Sequence, residues 1–252
     1  MQSKFLNLFI LKRFFVILLF FPLLLTAQTE EVTWNYPVHP GTEEWKQLNS
    51  FSERLDAFNI PDSILAEITT ENLVKTCLKY PWWILITSRD NNQTGYDYLK
   101  SVFNGFQELE KRKDAGKELL KIYKQLNPGK RLELKTLVEK GRFSYQLVLI
   151  ETILSQPDIL KNLSAQDLSQ LLGVAISIFR DKSNPTNNYS LYSLSSTGLL
   201  QGRILEKYEN GNFFKIKEEF PRLEEFIIGG ITDNRKMLIR IYNESKNYYN
   251  NL

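Results

Sequence analysis

Beyond its amino-terminal 30 residues this chain repeats apolar side chains at a spacing that only an α-helix gathers onto one face. The clearest stretch is Leu168, Leu171, Leu172, Ala175, Ile176 and Phe179, at i, i+3, i+4, i+7, i+8 and i+11, one stripe over three turns. Ser164 precedes it with Asp167 three residues on, a pair able to cap a helix start. Leu99, Val102, Phe103, Phe106 and Leu109 repeat the spacing and predict a second continuous stripe, and Leu238, Ile241, Tyr242 and Tyr249 a third. Further helix starts are expected at Thr42, at Thr69 or Thr70 and at Asp114, with Pro81 and Pro128 punctuating two ends. Gln146–Leu154 is apolar all round, which predicts a central helix. Tyr189–Leu194 and Phe213–Phe220 alternate as short strands would, but they are too brief to displace an all-helical reading. Near the end, Tyr248-Tyr249-Asn250-Asn251 reads as a fraying helix terminus. The fold class expected is all-α, a compact or short solenoid-like array of about eight to ten helices.

The amino-terminal segment obeys a different rule. Lys4, Lys12 and Arg13 precede an unbroken apolar run of 12 residues, Phe14 to Leu25. That is the length of a signal-peptide core and well short of the ~20 residues that cross a bilayer. Cleavage is expected between Ala27 and Gln28, giving a signal peptide over 1–27 and a helical domain over 28–252, although Leu25 is bulky for its place before the cut. An uncleaved anchor recruiting Phe5–Leu11 would bury Lys12 and Arg13 in mid-membrane, which is costly. No cysteine lies near the end of the leader, which argues against a lipoprotein.

Those three leader charges are the whole excess of base over acid. The full chain has 32 basic and 29 acidic residues; without the leader the two are equal. A neutral mature chain gives no ground for nucleic-acid binding. Charge is uneven along it, however. Residues 28–72 hold nine acids and two bases, and residues 111–142 hold eleven bases and four acids. Within the second stretch Lys113, Lys117, Lys121 and Lys124 share a helical face and form the candidate binding surface for an anionic partner. The alternative is a solvated face, or one that packs against the acidic segment.

The single cysteine, Cys77, forbids an intramolecular disulfide and falls on the apolar face of Leu73, Val74 and Leu78, so core packing is its expected role. The Asn- and Ser-rich stretch 181–196, with Pro185, is the expected loop and the candidate subdomain boundary. Residues 61–73 and 157–168 resemble one another, each a proline-started turn, a hydroxyl cap and a longer helix, as in stacked helical hairpins.

Reactive sets are sparse. His39 is the only histidine, held in Tyr36-Pro37-Val38-His39-Pro40-Gly41 between two prolines, where an inert loop role is expected. One His and one Cys do not make a closed zinc site, and neither G-x-S-x-G nor a phosphate-cradling glycine loop occurs. No catalytic residue, metal ligand or cofactor is therefore assigned. Paired acids, Glu43-Glu44 beside Trp45 and Glu224-Glu225 beside Phe226, keep a carboxylate hydrolase open, but adjacent acids diverge from a helix. The cluster Tyr80-Pro81-Trp82-Trp83 offers a platform for sugars or peptides, or simply anchors for a loop.

Asn35-Tyr36-Pro37-Val38-His39-Pro40-Gly41-Thr42-Glu43-Glu44-Trp45 resembles the opening of a family of uncharacterised exported bacterial proteins, Y-P-x-x-P-G-T-E-E-W. Phe103–Leu109 followed by Lys111–Ala115 resembles a second stretch of it, and the match covers roughly residues 34 to 125. The resemblance implies export and a bacterial source, and transfers no functional residue. The function expected is that of an exported, non-enzymatic binding or scaffold protein for a protein, peptide or anionic envelope polymer, with no nucleic acid and, after leader removal, no membrane. The runner-up is a cell-wall-directed hydrolase using a carboxylate pair. A third reading is an immunity-like partner that presents the acidic segment.

Overall fold

Hydroxyl and amide side chains set most of the helix starts. In the computed structural model, which describes residues 32–252, Thr42 Oγ1 accepts from the Trp45 amide to open α1 (Glu43–Gln47). Ser50 caps α2 (Phe51–Asp56), α3 is Asp62–Glu67, and Thr69 caps α4 (Thr70–Leu78). A 3-10 turn, Trp83–Thr87, leads to α5 (Asn92–Val102), capped by Asn91, and then α6 (Asn104–Lys111) and α7 (Ala115–Gln125). Thr136 and Glu139 form a reciprocal capping box on α8 (Leu137–Leu154), and a short α9 (Pro157–Leu160) follows. Ser164 and Asp167 do the same for α10 (Ala165–Ser183), the cap the sequence announces. Then come α11 (Leu191–Lys207), α12 (Gly211–Glu219), α13 (Leu223–Gly229) and α14 (Arg235–Asn250).

The protein is thus all-α, and the described residues contain no strand. Ten of the helices have seven residues or more, which agrees with the expected eight to ten. Both stretches that alternate like strands are helical: Ser190 caps the one and Asn210 the other. None of these helices is long and apolar enough to cross a membrane. The expected signal peptide and its Ala27–Gln28 cut lie outside the described residues.

Two apolar clusters fill residues 32–252. One joins α4 to α8 with most of α10; the other joins the end of α10 to α11–α14. The helices at the centre are α8, whose residues Leu147 to Leu154 are all buried, and α11, buried without interruption from Ser193 to Gly202. Serine, threonine and glycine dominate that stretch of α11, and such small residues let α8, α10 and α14 pack against it together. Of the stretch 181–196, only residues 184–190 lie outside α-helix, and a 3-10 turn at Pro185–Asn187 occupies part of them. Cys77 is buried and free, and burial pushes its thiol up.

Two helix expectations need correction. The stripe through Leu99 and Leu109 is not one helix: Phe103 is extended and separates α5 from α6. A tertiary contact stabilises the break, because the Asn104 amide pairs with the backbone of Ile60, accepting from its N–H at 2.9 Å and donating to its carbonyl at 2.8 Å. The apolar period survives since Phe103 still drops into the core against Tyr80, at 4.7 Å between ring centroids. At the other end Tyr248 and Tyr249 are not a loose terminus. Tyr248 packs on Tyr208 at 5.0 Å, and the Tyr249 ring lies over Gly173 so closely that a Cβ there would come within 2.9 Å of it.

The extended lead-in is pinned by its aromatics. Tyr36 is buried and donates to the Thr76 carbonyl at 2.9 Å; Trp34 Nε1 donates to the Phe58 carbonyl at 3.3 Å. Asn72 Nδ2 holds the Val32 carbonyl at 2.9 Å.

Candidate functional site

Three of the four lysines proposed as a surface share one face of a helix in the structure, and the fourth precedes it. Lys113 lies in the turn before α7, exposed, while Lys117, Lys121 and Lys124 line the outer face of α7. Those three have intrachain partners: Lys117 approaches Asp167 at 3.9 Å, Lys121 meets Glu118 at 2.7 Å, and Lys124 donates to Gln170. Arg112 is also spent, bonded to Glu108 and to the carbonyls of Leu65 and Ile68. Uncompensated charge lies further along the basic segment. Between Pro128 and Gln146 stand five bases and two acids, and one of those acids, Glu139, is consumed by the α8 cap. The paired acids are exposed on helix first turns, Glu43 bound to Lys46 at 2.6 Å and Glu225 to Arg222 at 3.0 Å. Among the described residues no three His, Cys, Asp or Glu side chains gather as a metal site would require.

Three helices and α7 meet at a buried polar network. Lys182 of α10 donates to both oxygens of Glu151 on α8, at 2.7 and 3.0 Å, and to the Ser193 carbonyl at 2.9 Å. Glu151 also accepts from Tyr123 and Thr197, each at 2.9 Å, and from Ser196. Burial and the carboxylate together push the Tyr123 hydroxyl well up, so it stays a donor. Both charged side chains have 0% exposure, and Tyr123, Ser196 and Thr197 are equally enclosed. A sealed and saturated cluster of this kind fixes helix register and admits no substrate.

A second, partly buried cation ties more distant segments. The Arg203 guanidinium of α11 donates to the carbonyls of Ser155, Ile227 and Ile228 and to Gln93 Oε1, at 2.9 to 3.1 Å. Its acceptors are all neutral, and desolvation pulls its pKa down. Every face of the guanidinium is in use, so in the cleft of about 650 Å³ beside it Arg203 is a clamp and not a free donor.

The open site lies on the other side of α8. A cleft of about 550 Å³ forms where the pinned lead-in (His39, Pro40), the residues after α4 (Lys79, Pro81) and Trp83 face α8. Its geometry follows from local signals. Pro81 follows the end of α4 and bars its continuation, and the 3-10 turn that follows brings Trp83 against Tyr145 with ring centroids 4.5 Å apart at 38°. On α8, Arg142, Tyr145 and Leu149 line the cleft, and Val138 continues their face one turn outward. Besides the buried Tyr80, six polar side chains line it: His39, Lys79, Trp83, Arg142, Tyr145 and Gln146. Among the described residues none of these six makes a side-chain hydrogen bond or ion pair, and no acid lines the cleft. An assembly of cations and polar groups without internal hydrogen-bond or ion-pair partners, beside paired rings, has the composition of a ligand surface.

Sequence reasoning reached Arg142 as one base among eleven and Trp83 as part of an aromatic cluster, and it placed His39 in an inert loop. It missed Tyr145, which carries no local signal. Glu151 had one: a carboxylate inside an apolar helix demands a buried partner.

The fold and cleft together define an all-helical protein with a cationic, aromatic recess. Comparison with protein-family models, with curated proteins and with solved structures finds no match for the chain.

Proposed function

We propose that this is an exported, non-enzymatic binding protein that takes a protein, peptide or anionic envelope polymer in the cleft beside α8. The observation that carries the reading is the set of six unpartnered polar side chains around one recess that has two permanent cations and no acid. On the α7 face, by contrast, Lys117 and Lys121 already meet intrachain acids, and such exposed pairs are weak. Trp, Tyr and Arg are also the residues that anchor binding surfaces most often. Support for export comes from the apolar run Phe14–Leu25 behind Lys12-Arg13 and the polar turn after Ala27.

The test is salt-dependent affinity capture from an envelope extract with two charge-reversed proteins alongside the wild type. One carries Arg142→Glu with Lys79→Glu, the other Lys113→Glu, Lys117→Glu, Lys121→Glu and Lys124→Glu. A partner lost from the first and retained by the second supports the cleft. Loss from the second alone moves the site to the α7 face, and retention by both refutes either surface.

A further inference from the structure

Resting on that reading of the cleft, we infer that its ligand is an acidic peptide segment bound in extended conformation, about five residues long. Three features select this class. The first is charge: Lys79 and Arg142 present an ammonium and a guanidinium, neither in an ion pair and with no carboxylate in the cleft lining, and a guanidinium grips a carboxylate by two parallel hydrogen bonds. The second is the apolar rim. Val138 is 72% exposed on the same α8 face as Arg142 and Tyr145, and Leu137 beside it is 85% exposed. A sugar chain would leave both in water, whereas a peptide whose acidic and apolar side chains alternate covers cations and rim together. The third is shape. Gly141 stands between Val138 and Arg142 with nothing within 4 Å of where its Cβ would be, so backbone can approach the helix there.

Length follows from the helix. The face from Val138 to Leu149 rises about 16 Å, the reach of about five residues of extended chain. Successive side chains of such a segment point to opposite sides, so one set meets the α8 face with Val138, Arg142 and Tyr145 while the other meets the facing wall with Lys79 and Pro81.

The experiment is calorimetric titration of the purified protein with three probes: the capped peptide ELEFE, its neutral counterpart QLQFQ, and pentagalacturonate, a carboxylated sugar of the same length. The expected result is that ELEFE binds at least about ten-fold more tightly than either other probe. Arg142→Gln should lower that affinity about ten-fold, and since Arg142 is exposed and unpaired its loss leaves the fold intact, as circular dichroism would verify. Equal binding of QLQFQ overturns the inference, because carboxylates are then not what is read. Tighter binding of pentagalacturonate, sensitive to Arg142→Gln, overturns the peptide but keeps the cleft. If no probe binds, the inference fails; if extract capture is also indifferent to Arg142→Glu with Lys79→Glu, the cleft fails as a site.

Discussion

Lys182→Met removes a cation from the centre of the protein without removing the carboxylate it serves. Glu151 then stands at 0% exposure with only the hydroxyls of Tyr123, Ser196 and Thr197 around it. Breaking one side of a buried pair costs about 3–5 kcal/mol, against a total stability of roughly 5–15 kcal/mol for a domain. At a urea slope of about 2–3 kcal/mol/M the unfolding midpoint should fall by about 1–2.5 M. Adding Glu151→Leu lifts the stranded charge. Ser196 and Thr197 can then turn to the Ser193 carbonyl, at 3.0 and 3.4 Å, but the Tyr123 hydroxyl is left without an acceptor, a cost of about 1–3 kcal/mol. Adding Tyr123→Phe removes that as well, so the triple variant should regain most of the loss and lie within about 2 kcal/mol of wild type. Urea unfolding followed by circular dichroism at helical wavelengths measures all three. A loss under about 1 kcal/mol for Lys182→Met, or a triple variant no better than the single, would refute the account of a charge network held by burial.

Other outcomes follow from the same contacts. Gly95→Ala would place a Cβ 1.8 Å from the Ile86 carbonyl oxygen, a backbone atom that cannot swing aside, and should cost about 3 kcal/mol or more in thermal unfolding. Gly141→Ala meets open space inside a helix and should stabilise by about 0.5–1 kcal/mol in the same assay. Arg203→Lys keeps the charge but not the fork that reaches Ser155, Gln93 and the two isoleucine carbonyls, and should lower urea stability by about 2 kcal/mol. The Ser164 hydroxyl and amide hold the Asp167 carboxyl below its ordinary 3.8, so its stabilisation is complete above that value and lost as pH falls through the lower folded one. Asp167→Asn should therefore flatten the acid limb of a stability–pH curve and leave the neutral limb's slope unchanged. Amino-terminal sequencing of the exported protein should begin at Gln28; a start at Met1 would refute cleavage.

The helices were legible because their signals are local. Ser164 with Asp167 and the Leu168–Phe179 stripe need nothing outside their own segment, and Leu147-Val148-Leu149-Ile150 announce a central helix by having no polar side. The break at Phe103 was not legible, since the stripe keeps its period across it and the cause is an amide reaching Ile60 more than 40 residues away. For the same reason the partners of the α7 lysines were not legible: Asp167 and Gln170, which engage Lys117 and Lys124, sit on α10. Alternation in Phe213–Phe220 fits a strand until Asn210 caps a helix ahead of it. The cleft draws on three separated segments, so no short window of sequence contains it. Its charge was visible only in aggregate, as the excess of base between residues 111 and 142.

The docked lead-in also bounds how far the amino end can be trimmed. An exopeptidase working inward from the amino end meets, at Val32, a carbonyl held by Asn72, and then Trp34 and Tyr36 fastened to the body. Such enzymes need several residues of undocked backbone to thread, and from Val32 onward these hydrogen bonds withhold it. Trimming should therefore stop at a defined place, and the surviving terminus is set by the fold and not by the exopeptidase that arrives.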